Sequence, residues 1–326
     1  MIRVSRLRKT FGSTVAVNDI SFEVKEGEVV GLLGPNGAGK STTMRMLTTF
    51  LDPDSGGIEI AGYDALDQPI EARRRIGYLP ESAPLYEELG VLESLNYTAK
   101  IRGLDGAARK RRVDEMVEAC GLGAVTHKDI GQLSKGYRQR VGLAQSIVHD
   151  PAFLILDEPT TGLDPNQIKE IRALITKLGA KKTIILSTHI MQEVQAVCSR
   201  ALIINKGNIV ADGRPDQLVT QSAKTGCRFS LTVRGAVRER ATAAFSKTDG
   251  VRSVVVEGEV GDLLHLTAVG ANDGVADELF RTAVREQWVL RELRLERASL
   301  EDVFSQLTLG NATGAGAKAA NKEDQA

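Results

Sequence analysis

The chain has 326 residues, which at roughly 150 residues per domain predicts about two domains. Hydrophobic residues make up 42% and charged residues 26%, the composition of a folded protein with an ordinary core and not of a disordered chain. Lys plus Arg and Asp plus Glu both number 42, so the net charge is zero, which argues against a whole-chain electrostatic grip on nucleic acid. Aromatics at 4% leave little to stack single strands on, and no nucleic-acid partner is expected. No stretch approaches about 18 uninterrupted apolar residues, so no membrane span is expected. MIRVSRLRKTFG at the start lacks the apolar run of a signal peptide. Cys120, Cys198 and Cys227 are scattered and odd in number, which argues against a disulfide framework or a cysteine metal site and fits a reducing cytoplasm.

In chain order, the first block spans residues 1–222. Apolar runs at Val29–Leu33, Phe153–Leu156 and Thr183–Ser187 read as buried strands, with longer helical patterns between them. That alternation predicts a mostly parallel α/β sheet. Residues 82–150 interrupt it with a charge-laced, mostly helical insertion. The basic run Arg109–Arg112 within it reads as a solvated helix face. The second block, residues 226–308, opens with Cys227, Phe229, Leu231 and Val233 alternating with polar residues, a half-buried strand. A helix (Val237–Phe245), two strands (Val251–Val256 and Leu263–Val269), a helix carrying Val275, Leu279 and Ala283, and a strand from Trp288 to Leu295 follow. The order βαββαβ predicts a small ferredoxin-like α+β domain. A last helix is predicted from Ser299, with Asp302 in capping-box spacing and Leu300, Val303, Phe304 and Leu307 on its apolar face. Residues 309–326 have no periodicity and are expected to be a disordered tail.

The strongest chemical signal is Gly34-Pro35-Asn36-Gly37-Ala38-Gly39-Lys40-Ser41-Thr42, directly after the strand Val29–Leu33 and before a helix. Glycines let the backbone curl so that successive N–H groups face one phosphate chain, and the helix N-terminus adds positive potential. Lys40 reaches the outer phosphates, and the Ser41 hydroxyl is a Mg²⁺ ligand. The second signal is Phe153-Leu-Ile-Leu-Asp157-Glu158-Pro159, a buried strand ending in two carboxylates. Asp157 is expected to hold Mg²⁺. Glu158, on the opposite side of the strand by period-two alternation, is expected to polarise an attacking water.

The third signal, Leu133-Ser134-Lys135-Gly136-Tyr137-Arg138-Gln139-Arg140, resembles the ABC ATPase signature, usually LSGGQ, with departures at Lys135 and Tyr137. The resemblance implies a P-loop ABC ATPase cassette that binds ATP and Mg²⁺. It implies that Ser134 and Gly136 contact the γ-phosphate held by a partner's P-loop, and that Thr161-Gly162-Leu163-Asp164 contacts that partner. His189, after Ser187-Thr188, matches the switch histidine that hydrogen-bonds the γ-phosphate, and Phe11 matches the aromatic that stacks on adenine. After Ile76-Gly77-Tyr78-Leu79-Pro80 the family usually has Gln. Here Glu81 stands instead, and direct contact with the metal is expected. IGYLPESAPLY, IGQLSKGYRQRVGLAQSIVHDP and DEPTTGLDPNQ resemble the gliding-motility-type branch of bacterial exporters. Ala298-Ser-Leu-Glu-Asp-Val-Phe304 resembles the ending found on many type-2 ABC exporter ATPases.

What the resemblance implies is therefore an ATP-hydrolysing subunit on the cytoplasmic face of the cell membrane. It would pair with a second ATPase subunit, a copy of itself by symmetry, and drive separate multi-span permease subunits, with export the direction. The rival is a soluble ABC ATPase acting on ribosomes or DNA. Against it stand the single cassette and the lack of coiled coils or cysteine zinc sites. Asn205-Lys206-Gly207-Asn208 resembles a guanine-reading motif but lacks its Asp, and a hairpin turn accounts for it better.

Overall fold

The structure is a computed structural model and describes residues 1–223, 227–296 and 303–304. It divides into two units, Met1–Pro215 and Asp216–Ala326. In the first unit the chain runs β1 (Ile2–Phe11), β2 (Thr14–Val24), β3 (Val29–Leu33), α1 (Lys40–Leu47), β4 (Ser55–Ile60), β5 (Tyr63–Asp64), α2 (Pro69–Arg74) and β6 (Ile76–Leu79). The helical insertion follows as α3 (Val91–Ile101), α4 (Gly106–Ala119) and α5 (Lys135–Ile147). Then come β7 (Phe153–Asp157), α6 (Pro165–Gly179), β8 (Thr183–Thr188), α7 (Met191–Val197), β9 (Arg200–Asn205) and β10 (Asn208–Gly213). The next helix, α8 (Pro215–Ala223), begins at the unit boundary, a few residues before the predicted domain end.

Six strands form one sheet in the order β10-β9-β3-β8-β7-β6, parallel from β9 to β6 with β10 as an antiparallel edge. Strands β3, β7 and β8 are buried at every residue, which is why they read as unbroken apolar runs. A second, antiparallel sheet, β2-β1-β4-β5, packs its apolar face into the same core: Ile2, Val4, Leu7, Ile58 and Ile60 join Leu32, Met44, Phe153 and Ile185. The sequence pattern does not announce this sheet. In the insertion, α3 buries Val91, Leu95 and Ala99, one every four residues. One member of the basic run departs from the solvated-face expectation. Arg112 donates to the carbonyls of Ile147 and Val148, each at 3.0 Å, and so satisfies the open end of α5.

The second unit contains β11 (Cys227–Arg234), α9 (Arg238–Ser246), β12 (Val251–Val260), β13 (Leu263–Gly270), α10 (Val275–Arg285) and β14 (Val289–Glu296). Its sheet order is β12-β13-β11-β14, antiparallel throughout, the arrangement βαββαβ predicts. Phe229, Leu231 and Val233 point from one face of β11 onto Phe245 of α9 and Leu279 and Ala283 of α10. Of the predicted last helix only Val303 and Phe304 are described, and both are helical; the rest of it and the predicted tail lie outside the described residues. No helix among the described residues is long and apolar enough to cross a membrane.

Candidate functional site

The site gathers at the carboxyl ends of the parallel strands, where ligands bind in open α/β sheets. Strand β3 delivers the chain into the glycine loop and α1. Gly39, at the N-cap of α1, has φ 107°, and a Cβ there would lie 2.3 Å from the Ala16 carbonyl oxygen. No side chain fits. Lys40 opens α1, is 5% exposed, and donates from Nζ to the carbonyls of Gly34 at 2.8 Å and Pro35 at 3.2 Å. The same ammonium pairs with Glu158 Oε1 at 3.3 Å. Ala38 packs into the core, and its carbonyl accepts the Gly207 N–H at 2.9 Å. Lys206 and Gly207 both have positive φ, so the 205–208 segment is the expected hairpin turn, and it props the back of the loop.

The two carboxylates do not sit on opposite sides as alternation predicted. Asp157 ends β7, and Glu158 turns into the left-handed region with φ 48°. The alternation stops there, and the two side chains reach consecutive residues of α1. Asp157 Oδ1 accepts the hydroxyls of Ser41 at 3.1 Å and Ser187 at 2.5 Å. Ser187 Oγ in turn accepts the Glu158 N–H at 3.0 Å. Glu158 faces Lys40 through Oε1, while Oε2 accepts from Thr161 Oγ1 at 2.8 Å and His189 Nδ1 at 2.7 Å. Burial pushes the Glu158 carboxyl up. The Thr161 hydrogen bond, the Lys40 charge and His189 together outweigh it and hold the group below its ordinary value. It is therefore a carboxylate at neutral pH, a base and not an acid. A carboxylate only accepts, so His189 carries its hydrogen on Nδ1, and Nε2 donates only when the ring is protonated.

These groups border a cavity of about 430 Å³. Of the predicted residues, Asn36, Gly37, Gly39, Lys40, Ser41, Thr42, Glu81, Glu158 and His189 line it. Gly34 and Pro35 hold Lys40 from behind, and Asp157 stands behind Ser41. Glu81 is exposed and makes no hydrogen bond or ion pair among the described residues, which leaves its carboxylate free to turn inward. Ser41, Asp157 and Glu81 offer hydroxyl and carboxylate oxygens, the hard donors that suit Mg²⁺. The described residues contain no cluster of three His, Cys, Asp or Glu able to hold a metal alone. Such a set fits an ion that keeps waters and phosphate oxygens as its other ligands.

Besides Gly34, Pro35, Ala38 and Asp157, which back the lining, three more predicted residues stand outside it: Phe11, Ser134 and Gly136. Phe11 ends β1 with its ring 51% exposed and the Lys9 ammonium 5.9 Å from its centroid. Ser134 caps α5, accepting the Tyr137 N–H at 3.4 Å, and is exposed. Gly136 is buried, and a Cβ there would lie 2.5 Å from Gln167 Oε1. Lys135 runs along Gly162, so the signature turn packs on the turn leading into α6. Sequence reasoning missed Ala16 as a lining residue and missed the grips of Thr161 on Glu158 and of Ser187 on Asp157. For Thr161 a signal existed: a hydroxyl three residues after Glu158, across a turn closed by Thr161 N–H to Glu158 C=O at 3.1 Å.

Comparison with known proteins bears on this geometry. The family model described as ABC transporter matches residues 17–161, and one described as AAA domain, putative AbiEii toxin, Type IV TA system matches residues 129–194. An uncharacterized ABC transporter ATP-binding protein of Bacillus subtilis is 33% identical over 304 residues, covering 93% of this chain and 98% of its own length. A daunorubicin resistance ATP-binding protein of Streptomyces coeruleorubidus is 33% identical, covering 94% of this chain and 95% of its own. A solved dimeric structure of a post-hydrolysis state of an ATP-binding cassette, bound to ADP and Pi, aligns with TM-score 0.61 and 25% identity over 66% of this chain and 98% of that one.

Proposed function

The chain belongs to the ABC transporter ATP-binding family, as an ATP-binding subunit and an ATPase, and on that premise we propose that it works as a Mg²⁺-dependent pair that drives export through a separate multi-span permease. The observation that carries the catalytic part is the Glu158 carboxylate, gripped by Thr161 and His189 and paired with Lys40 at the mouth of the phosphate loop. In this reading Lys40 and the N–H groups of residues 36–42 hold the triphosphate. Ser41, Asp157 and Glu81 hold Mg²⁺, which neutralises phosphate charge when bound. Glu158 takes the proton of, or orients, the attacking water, and His189, which lines the same cavity, stands beside the γ-phosphate. Phe11 offers an exposed ring face to adenine.

Ser134 and Gly136 lie away from the chain's own cavity, which supports their serving the nucleotide of a second copy across an isologous interface. Export is supported by the relative named for daunorubicin resistance, and the gliding-type branch by the stretches IGYLPESAPLY, IGQLSKGYRQRVGLAQSIVHDP and DEPTTGLDPNQ. The chain's place would be the cytoplasmic face of the membrane. Affinity purification of the native chain from detergent-solubilised membranes tests the proposal. A co-purifying polytopic membrane protein that stimulates ATP hydrolysis is expected. Co-purification with ribosomes and no membrane protein would overturn it.

A further inference from the structure

Glu193, in the first turn of α7, is 2% exposed, yet none of the roles above uses it. Its two oxygens divide their work. Oε1 accepts the hydroxyl of Thr160 and lies 3.7 Å from the Arg172 guanidinium of α6; Oε2 accepts the hydroxyl of Thr188 at 2.7 Å. The Thr188 hydroxyl also accepts the Ile190 N–H at 3.0 Å, so both backbone neighbours of His189 are fixed. The next residue along each strand end matters most. Thr161 follows Thr160, and His189 follows Thr188. These two are the groups that grip Glu158 Oε2, at 2.8 and 2.7 Å.

We infer that Glu193 is a positioning residue, a carboxylate bracket that holds the 160–161 turn and the 188–190 turn at the separation at which Thr161 and His189 meet on one oxygen of Glu158. The argument is geometric. The two turns belong to different strand ends and share no backbone hydrogen bond between Thr160–Thr161 and Thr188–His189 among the described residues. A planar carboxylate spans the two hydroxyls at a fixed distance. Thr160 and Thr188 are 3% and 1% exposed, so water does not replace it. Without it each buried hydroxyl seeks another acceptor, and beyond the Glu158 N–H, held by the Ser187 carbonyl at 3.2 Å and its hydroxyl at 3.0 Å, nothing among the described residues fixes Thr160 against Thr188. Glutamine keeps the span, since its oxygen accepts one hydroxyl and its NH₂ donates to the other.

This inference rests on the reading of Glu158 and His189 as catalytic, and the test separates the two. The full-length chain is labelled with ¹⁵N-histidine. It has four histidines, and His189→Ala assigns the signal of His189. In Glu193→Ala, the His189 Nδ1 resonance is expected to move to where Glu158→Ala puts it. The kcat for ATP should fall roughly 10- to 100-fold, as for a displacement of about 1 Å at a reacting group, with KM little changed. Glu193→Gln is expected to restore both readouts most of the way. A folded Glu193→Ala chain with the wild-type His189 resonance overturns the bracket. A shifted resonance with unchanged kcat overturns the catalytic role of the His189–Glu158 pair instead. Should Glu193→Ala fail to fold, Thr160→Val and Thr188→Val each cut one arm while the other arm and Arg172 keep the carboxylate paired, and the same two readouts decide.

Discussion

Replacing Glu158 by glutamine separates nucleotide binding from hydrolysis, and the structure sets the size of both effects. The carboxylate accepts on two faces: Lys40 at 3.3 Å on Oε1, Thr161 and His189 on Oε2. An amide has one oxygen, so it keeps one face and presents NH₂ to the other. If the oxygen stays with Thr161 and His189, Lys40 loses its charged partner and keeps only the Gly34 and Pro35 carbonyls. The lost pair is gross about 5 kcal/mol at 3.3 Å and an effective dielectric of ~20, and most of that is offset by the desolvation both groups undergo. A net of about 1–2 kcal/mol then no longer competes with the triphosphate for Lys40, and ATP affinity should rise about 5- to 30-fold. Hydrolysis loses its base, for which a fall of about 10²- to 10⁴-fold is expected. Titration with a fluorescent ATP analogue measures the first effect, and single-turnover hydrolysis the second. Wild-type turnover would remove Glu158 from the chemistry. Weaker ATP binding would refute the argument that Lys40 is shared between carboxylate and phosphate.

Chelating Mg²⁺ should stop hydrolysis, and Glu81→Gln should raise the Mg²⁺ needed for half-maximal rate by about 5-fold, the value of ~1 kcal/mol of metal contact, with metal-free ATP binding unchanged; superimposed Mg²⁺ titrations would remove Glu81 from the site. The Asp54 carboxyl accepts the Thr10 hydroxyl, the Lys9 ammonium and the Thr10 N–H, which together lower it from 3.8 to about 2. A lowered folded value stabilises above the ordinary value and is lost as pH falls through the folded one, so Asp54→Asn should lower the urea midpoint near neutral pH and leave it unchanged below pH about 2. Phe245 is fully buried against Trp288, with ring centroids 5.5 Å apart. Phe245→Ala should destabilise the second unit by about 3–5 kcal/mol, seen by calorimetry, while ATP binding to the first unit persists.

What the sequence makes legible is what the chemistry confines to adjacent residues. A phosphate loop needs its glycines, lysine and serine within one turn of chain, so residues 34–42 declare it. The buried strands β3, β7 and β8 declare themselves because burial on both faces removes any need for polar residues. The antiparallel sheet hides for the opposite reason. In β1 the inward residues Ile2 and Val4 are followed by Leu7, not by position 6, because the pairing register shifts between Val4 and Leu7 and Arg6 has φ 45°. The period of two breaks in mid-strand, and the pattern no longer reads as one element. The grips on the carboxylates hide because they are tertiary. Ser187 meets Asp157 across 30 residues and His189 meets Glu158 across 31, through the pairing of β7 with β8. Arg112 read as one more surface charge because its acceptors, the carbonyls of Ile147 and Val148, are 35 and 36 residues away.

The failed alternation at Asp157 and Glu158 also says something about why the site sits here. A non-glycine residue in the left-handed region is held there at a cost of about 1–3 kcal/mol. Glycine would adopt φ 48° freely, and folding alone gives no reason for a glutamate. The backbone pins the turn on both sides, with the Glu158 N–H on Ser187 and its carbonyl accepting from Thr161. Had the strand continued, the second carboxylate would have pointed away from α1. The left-handed residue instead brings it back beside the first, so that Asp157 meets Ser41 and Glu158 meets Lys40. Two acidic side chains beside one ammonium repel the triphosphate as well as each other. Their own partners within the chain satisfy them, and a cation bound between them and a phosphate chain would offset the remaining repulsion of the triphosphate. The strained residue, the neighbouring carboxylates and the glycine loop thus make sense as one arrangement, and none of them is required by the fold that carries it.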